Sequence, residues 1–421
     1  MVVDDIAVTR TVERVAREAY GRLLAMLAYR FRDIEAAEDA LGDALREALE
    51  RWTTDGVPES PEAWLTVVAK NRLRERARRR TTAEDPRVTG ALTEMVCSLD
   101  GERRAAVDHR LDLMFVCAHP SIDPAIRTPL MLQTVLGLDA ARIGDAFFVS
   151  GATMGQRLVR AKQKIRDARV PFDPPDAREL APRLHAVLEG IYAAFGVGWS
   201  LGVETPESST AEGQGAERMD EEALFLARLL ADLLPSEPEA LGLLALMTFS
   251  HARRKARFDD SGAFVPLAHH DVSRWDRDSI VSAERTLLRA ASLRQPGPFQ
   301  LEAAIQSAHC QRLFSGNTPW SAIAILYEVL NRNAPTVATL VAHAASLAEL
   351  GRYEEAEARL ASAATANVES YAPYWVVVDH IAVLRGDVDP ERSALRHAIS
   401  LTRAPALRRY LEAKWTSDAK R

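Results

Sequence analysis

Cysteine is nearly absent from this chain. Three thiols, Cys97, Cys117 and Cys310, are scattered over 421 residues, too few and too far apart for a disulfide framework. No apolar run approaches the roughly 20 residues that cross a bilayer. The first stretch, MVVDDIAVTR, has acidic residues where a signal peptide carries basic ones, and it lacks an apolar core. A cytoplasmic protein with no membrane partner is the expectation. The sequence also lacks a Gly-rich phosphate loop and any convergent nucleophile, base and orienting group, so no enzyme and no cofactor is expected. It lacks an excess of basic charge as well. The net charge is −6, which excludes a surface that binds nucleic acid all over. Residues 1–170 are nearly balanced, and the acidic excess lies beyond them. Local clusters therefore matter more than the total.

What is present is helical periodicity, enough for two to three domains at roughly 100–200 residues each. The most informative stretch is LDAARIGDAFFVSGATMGQRLVRAKQKIR, residues 138–166. A short helix carries Ala140, Ile143 and Phe147 on one face. A tight connection, Phe148-Val149-Ser150-Gly151, follows, with Ser150 placed to cap the next helix. That helix carries Met154, Leu158, Ala161 and Ile165 on one stripe and Thr153, Gln156, Arg157, Arg160 and Lys164 on the opposite one. A helix buried on one side and faced with Thr, Gln, Arg and Lys on the other suits the major groove of DNA. A solvated amphipathic hairpin fits the same letters.

Further back, a helix is expected over residues 11–31, and Asp33 starts another. In that second helix Ala37, Leu41, Ala44, Leu45, Ala48 and Trp52 point inward, and Glu38, Asp39, Gly42, Asp43 and Arg46 point outward. A loop at 53–60 follows, and Ser60-Pro61 opens the next helix. It ends KNRLRERARRR, where seven cations from Lys70 to Arg80 face a single Glu75. A dipole-favoured solvated end is one account of that run; a phosphate backbone as counter-charge is the other. Residues 83–106 look like a linker. Helices at 107–118 and 124–136 lead into the helix-turn-helix.

A proline-rich stretch, Val-Pro-Phe-Asp-Pro-Pro-Asp-Ala, follows as a short tether. Helices are expected at 179–195 and 221–234, with a Gly/Ser/Thr/Glu-rich loop at 201–218 between them. The segment 258–275 reads as a long ordered loop or short hairpin. Helix pairs at 323–332 with 336–350, and at 353–366 with 371–385, are spaced like tetratricopeptide repeats. Cys117 with His119, and His269-His270-Asp271, are possible metal ligands by type. Neither pair has the further ligands a site needs, so no metal is expected.

Three motifs in order, AEDALGDALREALERW (37–52), PEAWLTVVAKNRLRERARRR (61–80) and the 138–166 stretch, resemble extracytoplasmic-function sigma factors of bacterial RNA polymerase. The first two are similar to sigma region 2 and the third to sigma region 4. Residues 234–276, Gln295 to Gln300 and Cys117-Ala118-His119-Pro120 resemble one subgroup, whose members carry a tetratricopeptide-like helical extension. The resemblance implies an all-α chain: region 2 at 8–82, a linker at 83–106, region 4 at 107–170 and a helical extension at 179–421.

It implies core RNA polymerase and promoter DNA as partners, with a further protein partner or intramolecular docking through the extension. Asp39, Leu41, Asp43 and Arg46 would meet the polymerase. Trp52, Trp64, Asn71, Arg74 and Arg78 would serve the −10 element, with core packing as the other role open to the two tryptophans. Thr153, Gln156, Arg157 and Arg160 would read the −35 element, while Lys162, Lys164 and Arg166 touch phosphates. Two departures stand out. Gly42 occupies the place of a polymerase-contacting Gln, and Phe195-Gly196-Val197-Gly198-Trp199 replaces Phe-Asn-Glu-Gly-Tyr. They leave open a degenerate helix-turn-helix regulator or adaptor that does not engage polymerase.

Overall fold

The computed structural model describes residues 5–84, 108–147, 149–173, 175, 177–204, 211–364, 368–387 and 391–418. Among them the chain is helical. Extended pairing is limited to an isolated antiparallel bridge between Phe258 and Phe264. No described helix is long and apolar enough to cross a membrane. The chain divides into two compact units, Met1–Ala194 and Phe195–Arg421.

The first unit begins with α1 (Asp5–Phe31), α2 (Ile34–Asp55) and α3 (Pro61–Glu84). Val8, Val12, Val15, Ala19 and Leu23 recur at helical spacing and are buried, which forces α1 inward along one face. Asp33 caps α2, its carboxylate accepting from the Ala36 amide at 3.0 Å, as its position suggests. Gly56, at φ +87°, ends that helix. The expected inward residues of α2 are buried except Leu45, which is partly exposed. In α3 the buried stripe is Leu65, Ala69 and Leu73, while Val67 faces solvent. The helix continues to Glu84. The expected linker lies, from residue 85 on, outside the described residues.

Next come α4 (Arg110–Cys117), α5 (Pro124–Leu136), α6 (Ala140–Ala146) and α7 (Gly151–Asp167). The two expected modules pack on each other within this unit. Gly21 of α1 meets α5 backbone to backbone, since a Cβ there would lie 1.7 Å from the Val135 carbonyl oxygen. At the other end of α1, Tyr29 stacks on His109 with ring centroids 4.0 Å apart. The expected tether is partly fixed. Phe172 is buried, and Asp173 accepts from Arg32 at 3.1 Å and Tyr29 at 3.4 Å. Then α8 (Ala177–Glu204) starts, and Gly190 on it lets Met131 and Met114 approach closely.

In the second unit the expected loop at 201–218 shrinks. Helix α8 runs to Glu204, and α9 (Ala211–Leu233) begins seven residues later. Ala211, Glu212, Gln214, Ala216 and Glu217 are good helix formers that outweigh the glycines between them. Helix α10 (Pro238–Ala252) is apolar on all sides and packs against α9, α11 (Arg277–Ser292) and α12 (Pro298–Cys310). Such a helix belongs in the interior. Glu239 on α10 caps α12, accepting from the Phe299 amide at 2.9 Å and the Gln300 amide at 3.1 Å. Gly242 allows this approach; a Cβ would meet the Gln300 nitrogen at 2.8 Å.

The 254–276 segment is an ordered loop of 3-10 turns. Arg312 donates to the carbonyls of Leu267, Ala268 and His270. The guanidinium groups of Arg253 and Arg312 each lie over the Trp275 ring, 5.8 and 5.1 Å from its centre. After α13 (Arg312–Ser315), helices α14 (Trp320–Asn333), α15 (Val337–Ala348), α16 (Tyr353–Ala363), α17 (Ala372–Arg385), α18 (Ser393–Leu401) and α19 (Pro405–Asp418) follow, each packed on its neighbour. The helix pairs expected at 323–332 with 336–350 and at 353–366 with 371–385 correspond to α14 with α15 and α16 with α17.

Candidate nucleic-acid interface

Helices α6 and α7 are set by two caps. Asp139 accepts from the Arg142 amide at 2.9 Å, and Ser150 accepts from the Thr153 amide at 3.3 Å. The turn between them is tight. A Cβ on Gly144 would sit 2.5 Å from the Val149 carbonyl oxygen, and one on Gly151 would sit 2.9 Å from the Ala141 Cα. Phe148 lies outside the described residues. Met154, Leu158, Ala161 and Ile165 are buried. Thr153, Gln156, Arg157, Arg160 and Lys164 are exposed together on the other side. Thr153 also shares a 2.8 Å hydrogen bond with Ser150, so its hydroxyl helps hold the cap.

Lys162 departs from expectation. Its side chain is 7% exposed, and its Nζ lies 2.5 Å from Glu38 on α2 and 3.1 Å from the Gln133 amide oxygen. It is four residues from Leu158, so it flanks the apolar stripe rather than the polar face. A buried ammonium needs a paired carboxylate, and Glu38 supplies one. Burial raises the Glu38 carboxyl above its ordinary value, against the opposing pull of Lys162. Arg166 is likewise engaged, 2.6 Å from Glu35. These two cations serve the fold here, not a phosphate.

On α2 and α3 the expected residues divide. Leu41 is 1% exposed and lies in the core, so it supports the outer face of α2 without touching a partner. Asp39 is exposed and pairs with Arg76 at 2.9 Å. Asp43 pairs with Arg46, which is exposed. Arg72 reaches Glu47 at 3.0 Å, so two cations of the basic run find their counter-charge on α2. Asn71 and Arg78 are exposed, and Arg74 is half-buried. Lys70 is held below its ordinary value by burial and by Arg30 and Arg74 beside it. Trp52 is buried and Trp64 partly exposed, so only Trp64 can offer a ring to a base.

Among the described residues no group of three or more His, Cys, Asp or Glu side chains is arranged to hold a metal ion. Cys117 is buried 3.5 Å from the Thr134 hydroxyl, and burial pushes its thiol up to about 12. His119 accepts from the Ser121 amide through Nδ1 at 3.2 Å. In the second unit, His251, Arg254, Lys255, Arg274, Trp275 and Asp276 line a cavity of about 620 Å³. Sequence reasoning did not single it out, because its residues come from both ends of the 254–276 loop.

The sigma-70 region 2 family matches residues 16–82, within the stretch that holds α1 to α3. A family of unknown function, DUF6596, matches residues 183–291. The chain is 38% identical over 324 residues to "Uncharacterized protein R00370" of Rhizobium meliloti (strain 1021), covering 74% of this chain and 73% of that protein. Residues 16–82 carry a sigma-70 region 2, and the chain belongs to one family with that Rhizobium protein. No solved structure matches it. The region 2 match suggests a sigma-factor-like role in transcription initiation. The α1–α3 match lies inside the region 2 expected at 8–82, and the DUF6596 match lies inside the expected extension.

Proposed function

We propose that this chain is an alternative sigma factor of the extracytoplasmic-function type. It binds core RNA polymerase through the outer face of α2, where Asp39 and Arg46 are exposed and Asp43 is partly exposed. It reads the −10 element through Trp64, Asn71, Arg74 and Arg78. It reads the −35 element through Thr153, Gln156, Arg157 and Arg160, with Lys164 on a phosphate. The observation that carries this reading is the exposed polar face of α7 on a capped helix-turn-helix, in the same chain as a sigma region 2. Arg pairs bidentately with guanine and Gln with adenine, each worth roughly 1–3 kcal/mol of discrimination. The helices from α8 onward act as a tetratricopeptide-like scaffold that regulates the sigma module. In vitro transcription with core enzyme and a pool of genomic promoters tests the proposal. Specific initiation from a subset supports it, and absence of any transcript overturns it.

One observation favours a second reading. Gly42 sits bare on the exposed face of α2, with nothing within 4 Å of its would-be Cβ, where a polymerase-contacting side chain is expected. A helix-turn-helix regulator that has lost polymerase binding would account for that. Co-purification with core polymerase separates the two.

A further inference from the structure

We infer that the cavity at the two ends of the 254–276 loop binds a small molecule through a phosphate group. The cavity lies within the second unit, so the inference does not depend on the sigma reading.

Two arginines, a lysine and a serine carry it. Arg254 follows the end of α10, and Arg274 lies at the far end of the loop, shortly before α11. Both line the cavity. Each spends one nitrogen, Nη1, on the protein. Arg254 Nη1 donates to Glu221 on α9 at 2.9 Å. Arg274 Nη1 donates to the Phe258 carbonyl at 2.8 Å, with Asp260 3.6 Å away. The edge formed by Nε and Nη2 of each guanidinium makes no hydrogen bond among the described residues. Lys255 and Ser273 stand on the same wall. Among the described residues the Lys255 ammonium makes no ion pair, and the Ser273 hydroxyl makes no hydrogen bond.

The carboxylates nearby are committed elsewhere. Asp276 also lines the cavity, but it accepts from the Ser279 amide at 3.0 Å and the Ser279 hydroxyl at 2.8 Å, and so caps α11. Asp259 accepts from the Ser261 and Ala263 amides, and Asp271 from the Ser273 amide, each closing a turn. Asp260 is fully exposed, where an ion pair is worth little. Asp220 stands 3.6 Å from His251, beyond hydrogen-bond reach. A helix C-terminus favours cations beside it, which accounts for Arg254 and Lys255. It does not account for Arg274, which the loop returns to the same place. Arg253 lies buried over the Trp275 ring, and its Nη1 has no hydrogen-bond partner among the described residues. Burial, with Arg312 beside it, holds that guanidinium below its ordinary value. A negative charge on the cavity side would offset the cost.

The donor set chooses the chemistry. A guanidinium edge binds two oxygens of one group at once. Two such edges with an ammonium and a hydroxyl exceed what the two oxygens of a carboxylate take up. A phosphate ester, with three acceptor oxygens and a charge of about −1.5 to −2, matches them. A cavity of about 620 Å³ is far larger than one phosphate and lies within the roughly 300–1,000 Å³ of ordinary ligand sites. The phosphate is therefore the charged end of a larger molecule, with Ala252 and Trp275 supplying the apolar part of the wall.

The test is isothermal titration calorimetry of the full chain with pyrophosphate, at an ionic strength held constant with sodium chloride. Pyrophosphate should bind saturably, once per chain, and more tightly than citrate, whose charges sit on carboxylates. Lys255→Ala should weaken it about tenfold. That side chain is exposed and unpaired, so its loss leaves the fold intact. Arg274→Lys keeps a donor for the Phe258 carbonyl but loses the two-nitrogen edge, and should weaken binding as well. If it misfolds by circular dichroism, Lys255→Ala decides alone. Arg332→Ala, on α14 and outside the cavity, should change nothing. Binding that survives Lys255→Ala, or that Arg332→Ala weakens equally, overturns the site. Citrate bound as tightly as pyrophosphate overturns the phosphate class. The absence of saturable heat through the millimolar range overturns both.

Discussion

Trp52 and Trp64 meet edge to face, with ring centroids 5.4 Å apart and planes at 68°. Trp52 is a wall of the core, and Trp64 leans on it with part of its ring in solvent. The pair therefore separates stability from recognition. Trp52→Ala should cost about 3–5 kcal/mol of unfolding free energy. Trp64→Ala should cost less stability and instead weaken binding to single-stranded −10 DNA, by about 1–3 kcal/mol if a base stacks on it. Urea unfolding and fluorescence anisotropy measure the two. Equal loss of stability in both variants would remove Trp64 from the interface.

The cations of α7 should fall into three classes. Arg157→Ala should relax sequence preference at one or two bases of the −35 element, costing roughly 1–3 kcal/mol there. Lys164→Ala should weaken every sequence alike and lower the salt slope by about one. Lys162→Ala should act on the fold, destabilising it by about 3 kcal/mol, because Glu38 loses the ammonium it was buried beside. Binding titrations at several salt concentrations, paired with denaturant curves, sort the three. A Lys162→Ala protein of full stability with a reduced salt slope would place that ammonium on DNA instead.

Gly42 offers a gain rather than a loss. Nothing stands within 4 Å of its would-be Cβ, and glycine is a poor helix residue. Gly42→Gln should stabilise the chain by about 0.5 kcal/mol. If α2 is the polymerase-facing helix, it should also strengthen co-purification with core enzyme. Added stability with no change in polymerase binding would take position 42 out of that contact.

The second unit should lose stability in mild acid. Burial, with Arg253 nearby, holds His309 down at about 3 and His270 at about 4. An unfolded histidine titrates near 6.5. Between those values the unfolded chain binds protons that the folded chain refuses, so stability falls as pH drops from about 6.5 toward 4. The urea midpoint at pH 5 should lie below that at pH 7. His309→Phe keeps a ring against Trp320 and should narrow the gap. An undiminished gap would assign the effect to other groups.

Removal of the extension should be cut after Ala194, not at Pro171. The shorter chain would lose Phe172 from the core and the part of α8 that packs Gly190 on Met131 and Met114. If the extension is a scaffold needed for activity, the chain ending at Ala194 should fold by circular dichroism yet give no run-off transcript. If the extension masks the basic helices, the same chain should transcribe more than the full-length protein. Equal activity would make the extension an independent binding domain.

The helices were legible in the sequence because their buried stripes recur at 3.6 residues, as along α2 and α7, and because Asp33 and Ser150 are cap residues at the right places. The paired helices at α14–α17 were legible from the repeat-like spacing of two helix pairs. What the letters hid was long-range pairing. Lys162 resembles its neighbour Lys164 in chemistry, and only the position of Glu38, 124 residues away, distinguishes a core strut from a surface cation. Arg72 and Arg76 were read as seeking phosphates because Glu47 and Asp39 are close only in the fold. Gly144 and Gly21 carried no pattern at all; their role is the atom they lack. The stretches at 234–276 and 295–300 have a role in packing, with Glu239 capping α12 and two guanidinium groups over Trp275.

Gly21 turns one letter into a sorting criterion. Where α1 and α5 touch through bare backbone, any side chain at that position forces the helices apart by a few ångströms. Sequences that align with this chain but carry Ala, Ser or larger there are expected to hold the α1–α5 pair a few ångströms further apart. Those that carry Gly are expected to keep the close approach. Comparing the structures of two such proteins would show whether a hydrogen in place of a methyl sets the spacing of that pair.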